Sequence, residues 1–515
     1  MEPLHGRVAR ALPGKRVSRP GRLAVAGLAV SMLSMGTATA AALPHRAVHR
    51  SAPHGTLTVA IAVPPTTLSP QPFQTADAYF EWALYQPLVD IQGAKNVPVL
   101  ATSWKFGRAE RSLTLELRKG VKFSDGTPFT AAIAAWNINW VKQPATNAQA
   151  VAEWADVTPK VLGRYTLRLS FTRPMPDIFG MLSEAVMVKP NGEDQGIGTG
   201  PFAVASNVPG TSLTLRRNTH YWGQAPGVNH IALKVYPDPA TAALALQSGA
   251  ADLVIGPSFT QVKTLEGQGY KYMAIPGSGA SDLLVNVSSA PLNSAKVREA
   301  LSLAFNRKEF VQVAAAGIAK PRYSIFAPSS PAFSNSDNKG TYSLTKAKQL
   351  LNEAGYKSLN LSIITTASQP QTAFLPIYQQ DLAQIGVKLS INVVDTAAWH
   401  VDVVDGKFPQ LIAHGYNFCG GDPALCFTAF PFRIVGNPEH FVSSKYQSMV
   451  QHAGIAGRAS TRIAEYQAID RFVQQQAFVI PLASAPTPMV FNKGVQGLGT
   501  VDGIGVSYSN VHLGK

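Results

Sequence analysis

The sequence predicts an α/β protein, and two observations carry that prediction. Four segments alternate apolar and polar residues with the period of two that a half-buried strand requires, and amphipathic helical stretches lie between them. Around residue 386 a helical pattern, a glycine and an alternating strand follow one another without a gap, as in a chain running from helix directly into sheet. No fixed-period repeat is visible, which excludes a solenoid or propeller.

Taken in order, the chain opens on a segment that does not read as part of the fold. Basic residues up to Arg22 are followed by the apolar run Leu23 to Leu33 and then by small residues, with Ala38-Thr39-Ala40 or Ala40-Ala41-Ala42 as a cleavage motif. The run is too short for a bilayer-spanning helix, which takes about 18 apolar residues, so residues 1–42 are expected to be a secretory signal peptide. No cysteine stands at the cleavage site, so no lipid anchor is expected, and the mature chain is placed in the periplasm or outside the cell. Residues 43–55, with Pro44 and Pro53, lack periodicity and read as a flexible lead-in.

The fold is expected to begin at Thr56, where Leu57, Val59, Ile61 and Val63 alternate with Thr58, Ala60 and Ala62. Similar strands are expected at 113–117, 213–215 and 387–393. Ser294 is a candidate N-cap for a helix that puts Val297, Leu301, Ala304 and Phe305 on one face. A helix over about 344–354 ends before Gly355, where a left-handed cap is favourable, and one over about 371–385 ends at Gly386. Another, about 461–476, turns Ile463, Tyr466, Ile469 and Val473 inward.

Composition narrows the function. With 515 residues, 46% of them hydrophobic, the chain has material for two to four domains with a substantial core, so it is not a small disulfide-stapled scaffold. The formal charge of +15 would raise nucleic acid as a partner, but residues 1–42 hold six basic residues against one acidic residue. The remainder shows no run of five basic residues, and its positive charge reads as scattered surface, so no nucleic-acid partner is expected. HExxH, GxSxG, CxxC and the phosphate-binding P-loop are all missing, and no cofactor, resident metal or catalytic residue is assigned. Gly198-Thr-Gly200 is followed by Pro201, which reads as tight-turn packing rather than a nucleotide fingerprint, and Ser124 to Pro128 reads as turn chemistry.

Several segments then match one family in order. Leu84 to Val89, Pro98 to Trp104, Leu117-Arg-Lys-Gly-Val-Lys-Phe-Ser-Asp-Gly-Thr-Pro-Phe-Thr130, Gly198 to Phe202, Arg217 to Gly223 and Ala245 to Leu253 stand at family-like spacing. Val297 to Leu301 with Asn306-Arg307, Ala347 to Tyr356, Ile385 to Val387, Trp399 and Ile480-Pro-Leu482 follow. Over residues 56–500 the chain resembles the peptide-binding group of extracellular solute-binding proteins of bacterial ABC importers, family 5, which includes dipeptide-, oligopeptide- and nickel-binding proteins.

The resemblance implies a two-lobed, hinged periplasmic-binding-protein fold of the class II type with an extra inserted domain. Domain I would comprise 56–85, 197–285 and 483–515, domain II (the insert) 86–196, and domain III 286–482. It also implies no enzyme activity but capture of a peptide or peptide-like solute between the lobes, by a monomer that delivers it to the permease subunits. A metal chelate or sugar, or a sensing role toward a membrane receptor, is the alternative.

The expected ligand side is Tyr416-Asn-Phe-Cys-Gly-Gly-Asp-Pro423. Peptide binders of the family often read W-x-x-D-x-x-D-P here, the first Asp facing the peptide's α-ammonium. Aligning Asp422-Pro423 puts Cys419 at that position, and a neutral sulfur cannot supply the charge-assisted bond of a carboxylate, worth about 1.5–3 kcal/mol. Asp422 could take that role or serve as a turn or cap residue. Tyr416, Phe418 and Trp399 are candidates to line an apolar pocket or to pack the lobe. Cys419 and Cys426, the only cysteines, are expected to form a local disulfide in an exported protein. That bridge would leave no thiolate for a metal, for which His414 would be the nearest further ligand.

Overall fold

A computed structural model describes residues 55–514, apart from positions 64, 66, 72–76, 93–94, 145, 147–153, 177, 276–278, 367–372, 416–418, 420–421, 429–430, 435, 456 and 502–504. The expected signal peptide and most of the lead-in lie outside the described residues, as do Tyr416 and Phe418.

Three sheets organise the chain. The first has seven strands, with Thr56–Ile61 at its centre, parallel to His230–Val235 on one side and to Leu253–Ile255 on the other. Alternation decides which face each residue of the central strand takes: Leu57, Val59 and Ile61 enter one apolar cluster, while Ala60 enters another with Ala242, Ala245 and Leu246 of the helix Pro239–Gln247. The strand stops at Ile61, and Val63, expected to continue the alternation, is exposed.

The second sheet has six strands. Ala280–Val285 lies antiparallel to Leu411–His414 and to Val479–Ser484, and Leu359–Thr365 lies parallel to Val387–Val393. Gly355 (φ 89°) and Gly386 (φ 82°) occupy the left-handed region, so the helices Leu344–Glu353 and Leu375–Gln384 end where the glycines predict. The latter begins at Leu375 rather than near 371, with Phe374 as its N-cap and a proline in its first turn. Val297, Leu301, Ala304 and Phe305 are fully buried against one face of this sheet.

The third sheet has four antiparallel strands, Ala101–Phe106, Ser112–Leu117, Thr166–Phe171 and Val157–Gly163, and shares a cluster with the helices Ala131–Val141 and Ile178–Glu184. The motif turns are structural. Asp125 accepts a hydrogen bond from the Thr127 amide (2.9 Å) and pairs with Lys189 (2.6 Å). A Cβ on Gly198 would strike the Leu84 carbonyl oxygen. Asn218 donates to the Gly200 carbonyl (2.8 Å), which pins the following Tyr221-Trp222 loop.

In chain order the strand Lys271–Ile275 of the first sheet is followed by Ala280–Val285 of the second, and Val479–Ser484 of the second by Thr487–Phe491 of the first. Next to these strands the Ala485 amide donates to the Gly279 carbonyl (3.2 Å), and a Cβ on Gly279 would collide with the Ala485 carbonyl oxygen. The architecture is a two-lobed α/β fold whose first and second sheets are joined through this narrow double crossing. Among the described residues no helix is long and apolar enough to cross a membrane.

Candidate functional site

Of the predicted site residues that are described, Cys419, Cys426 and Trp399 belong to the cluster on one face of the second sheet, and Asp422 does not. Alternation along Ala280–Val285 sends Leu283 and Val285 into one cluster and Leu284 into another on the opposite face, which also holds Ile412, Cys419, Cys426, Phe427 and, partly buried, Trp399. Trp399 is placed by the helix Thr396–Asp405, whose N-cap Asp395 accepts from the Ala398 amide (2.8 Å). Its indole lies nearly parallel to the His414 imidazole, with centroids 6.1 Å apart and planes 11° apart.

His414 ends the strand Leu411–His414 directly across the ladder from Asp282, and its Nδ1 lies 3.9 Å from Asp282 Oδ2. Asp282 Oδ1 accepts a hydrogen bond from Arg322 Nη2 (3.1 Å), and all three side chains are buried. Sequence reasoning missed the Asp282–Arg322 ion pair. Its available signal was a carboxylate immediately before the apolar run Leu283-Leu-Val285.

Cys419 and Cys426 are joined in a disulfide with Cα atoms 4.7 Å apart, each sulfur-bearing residue at most 2% exposed. The Cys419 carbonyl accepts from the Ala327 amide (3.0 Å), tying the bridge to the lobe. Asp422 is the N-cap of the short 3-10 helix Pro423–Phe427, its Oδ1 accepting from the Ala424 amide (3.0 Å). One oxygen is thereby engaged with its own chain. The side chain lies against Gly180 of the helix Ile178–Glu184, a residue of the four-stranded unit. Among the described residues no group of three or more His, Cys, Asp or Glu could hold a metal ion.

Two carboxyls in this lobe are held against ionisation. Burial pushes the Glu439 carboxyl well above its ordinary value, outweighing its own backbone amide and the nearby Arg433 charge, which act the other way. Burial also raises Asp470, although its Oδ1 accepts from the Ile325 amide (2.9 Å). A raised folded-state pKa means that the folded protein binds more protons than the unfolded chain. The resulting stabilisation is complete below the unfolded values and is lost as pH rises through the folded ones. The urea midpoint is therefore expected to fall between pH 5 and pH 8, and Glu439→Gln combined with Asp470→Asn is expected to flatten that slope. An unchanged slope in the double variant would refute the assignment.

The family model described as bacterial extracellular solute-binding proteins, family 5 Middle, matches residues 95–430. The chain belongs to this family. As a family 5 solute-binding protein it is the substrate-binding component of an ABC importer, which takes a small solute and works with the permease. It is 28% identical over 403 residues to the nickel-binding periplasmic protein of Escherichia coli K12, covering 71% of this chain and 76% of that one. It is 25% identical over 441 residues to the glutathione-binding protein GsiB of the same organism, covering 81% and 86%. Its fold superposes on the periplasmic binding protein DppA of Helicobacter pylori in complex with the peptide STSA, with a TM-score of 0.78 at 24% identity, covering 90% of this chain and 99% of that one. These relatives are binding proteins for different solutes.

Proposed function

We propose that this family 5 protein is exported by its first 42 residues and captures, as a monomer, a peptide-like solute between its lobes, handing it unchanged to the permease. The lobes would be domain I and domain III, with domain II (86–196) inserted, the strands Ala280–Val285 and Val479–Ser484 going with domain III because they lie in the second sheet. The observation that carries the choice of solute is Cys419. The family's peptide binders often place a carboxylate there for the α-ammonium, whereas this residue is 2% exposed and bridged to Cys426. Asp422, the other candidate, is engaged as a helix cap. A solute with a free amino terminus would leave its cation without that partner, a loss of about 1.5–3 kcal/mol, or roughly 10- to 150-fold in affinity. The favoured solute therefore has a blocked or absent amino terminus, with Trp399 against its apolar part.

The test is mass spectrometry of small molecules released by denaturing the purified protein. Blocked peptides or peptide-like compounds are the expected result. Peptides with free amino termini would overturn the role given to Cys419, and recovery of a metal chelate or sugar would replace the peptide-like reading.

A further inference from the structure

We propose that the open face of the four-stranded sheet is a docking surface for an anionic lipid bilayer. The inference rests on the family's work with a membrane permease and not on which solute is bound.

The four strands carry four charged residues, Lys105, Glu116, Lys160 and Arg168. Alternation places them on one face, because Trp104, Leu115, Leu167 and Leu169 turn to the other, into the core shared with the helices Ala131–Val141 and Ile178–Glu184. Register then aligns the cations. Lys105 opposes Thr114, Thr114 opposes Arg168, and Arg168 opposes Lys160, so three cations and one hydroxyl form a single row across the sheet. All three cations are exposed, and among the described residues none has a carboxylate partner. Arg168 Nε donates to Thr114 Oγ1 (3.4 Å), while Glu116, one row away, accepts from Thr166 Oγ1 (2.9 Å). Like charges directly opposite one another cost a sheet stability, so the Arg168–Lys160 pair does not serve the fold. Positive charge that is scattered along the sequence is gathered here by strand pairing.

Lys105 and Lys160 stand three strand spacings apart, about 14 Å, too far for one phosphate to bridge. A planar array of phosphates matches such a row, each cation meeting its own headgroup, as in the basic segments that hold proteins to anionic membranes. The end of the row commits the face to lipid rather than to a soluble polyanion. Val161 and Leu162, next to Lys160 at the bulge of the edge strand, are each 44% exposed. Apolar side chains beside cations lose contact with water by entering the headgroup boundary, whereas a soluble polyanion offers them no apolar environment. A weak contact of this kind would concentrate the protein beside its permease while leaving the first and second sheets free.

The test is sedimentation of the purified protein with vesicles of phosphatidylcholine alone or containing about one third phosphatidylglycerol, at low ionic strength where surface charge is little screened. Binding to the anionic vesicles and not to the neutral ones is expected. Lys105→Gln combined with Lys160→Gln and Arg168→Gln is expected to lower the partition coefficient at least about tenfold, since each cation near such a surface contributes on the order of a fivefold gain. Lys271→Gln, Lys348→Gln and Lys388→Gln together remove the same charge from exposed positions on other elements and are expected to change it less than about twofold. Leu162→Ser is expected to lower vesicle binding about threefold and to leave binding to soluble polyphosphate unchanged. The substituted side chains are exposed, and relieving the Arg168–Lys160 repulsion is expected to keep or raise the melting temperature, so lost binding would not reflect unfolding. Equal losses in the two triple variants, undiminished binding by the first, or no preference of the wild type for anionic vesicles would overturn the docking face. Equally tight binding to polyphosphate and to vesicles, both insensitive to Leu162→Ser, would make the partner a soluble polyanion and overturn the lipid assignment. None of these readouts involves the solute, so a surprise in the mass spectrum leaves the docking face standing, and its loss leaves the solute assignment standing.

Discussion

Asp282→Ala is expected to destabilise the lobe built on the second sheet by about 3–5 kcal/mol, because it strands the buried Arg322 guanidinium without its carboxylate. Both residues are almost inaccessible, so water cannot take over the role of the missing partner. Among the described residues the Arg322 Nε and Nη1 atoms have no hydrogen-bond partner to compensate. For a lobe of about 200 residues the loss corresponds to a fall in melting temperature of roughly 10 °C, measurable by calorimetry. The companion variant Asp282→Ala with Arg322→Met removes both charges and is expected to recover most of the loss, since a buried ion pair replaced by apolar groups is often neutral. A single variant within about 1 kcal/mol of wild type would show that the pair is not desolvated as the geometry requires. The result also bears on function, because Asp282 and His414 face one another across the ladder beneath Trp399, and loosening that pair would let the indole shift.

Phe427→Ala is expected to cost about 3–5 kcal/mol and to release the disulfide segment from its lobe. Its ring stacks on Tyr466 with centroids 5.7 Å apart and planes 6° apart. It also meets Phe326, Phe432 and Tyr446 edge-on at 6.1 to 6.4 Å. Offset and edge-on pairs of this kind add about 0.5–1.5 kcal/mol beyond the area they bury, so the truncation loses several favourable geometries together. Phe427→Leu keeps much of the volume and is expected to cost clearly less. Near-ultraviolet circular dichroism reads the loss of aromatic order, and calorimetry reads its magnitude. Equal losses in the two variants would mean that the ring contacts contribute nothing beyond bulk. Because Cys426 adjoins Phe427, the bridge in Phe427→Ala is also expected to be reduced faster by a water-soluble phosphine.

Local features of this chain were legible in its sequence because they depend on residues near one another. The glycines at 355 and 386 end their helices since only a residue without Cβ adopts positive φ there cheaply, and the alternation at 387–393 marks a strand since successive side chains leave opposite faces. The cysteine pair is equally local, its short separation allowing closure without the rest of the fold. The ordered series of motifs carried the family and, through it, the two-lobed architecture. Contacts between distant segments required the tertiary structure. Asp282 and Arg322 are 40 residues apart, and nothing in either one's neighbourhood specifies the other until the second sheet and its edge bring them together. Asp422 had two readings in the sequence, and the geometry of Pro423–Phe427 makes it a helix cap lying on Gly180. Leu425 reads as one more apolar residue of a short helix. Only the packing of the four-stranded unit against that helix decides that its side chain enters a different core from those of Cys426 and Phe427, because core membership follows from where whole elements lie and not from the pattern within one.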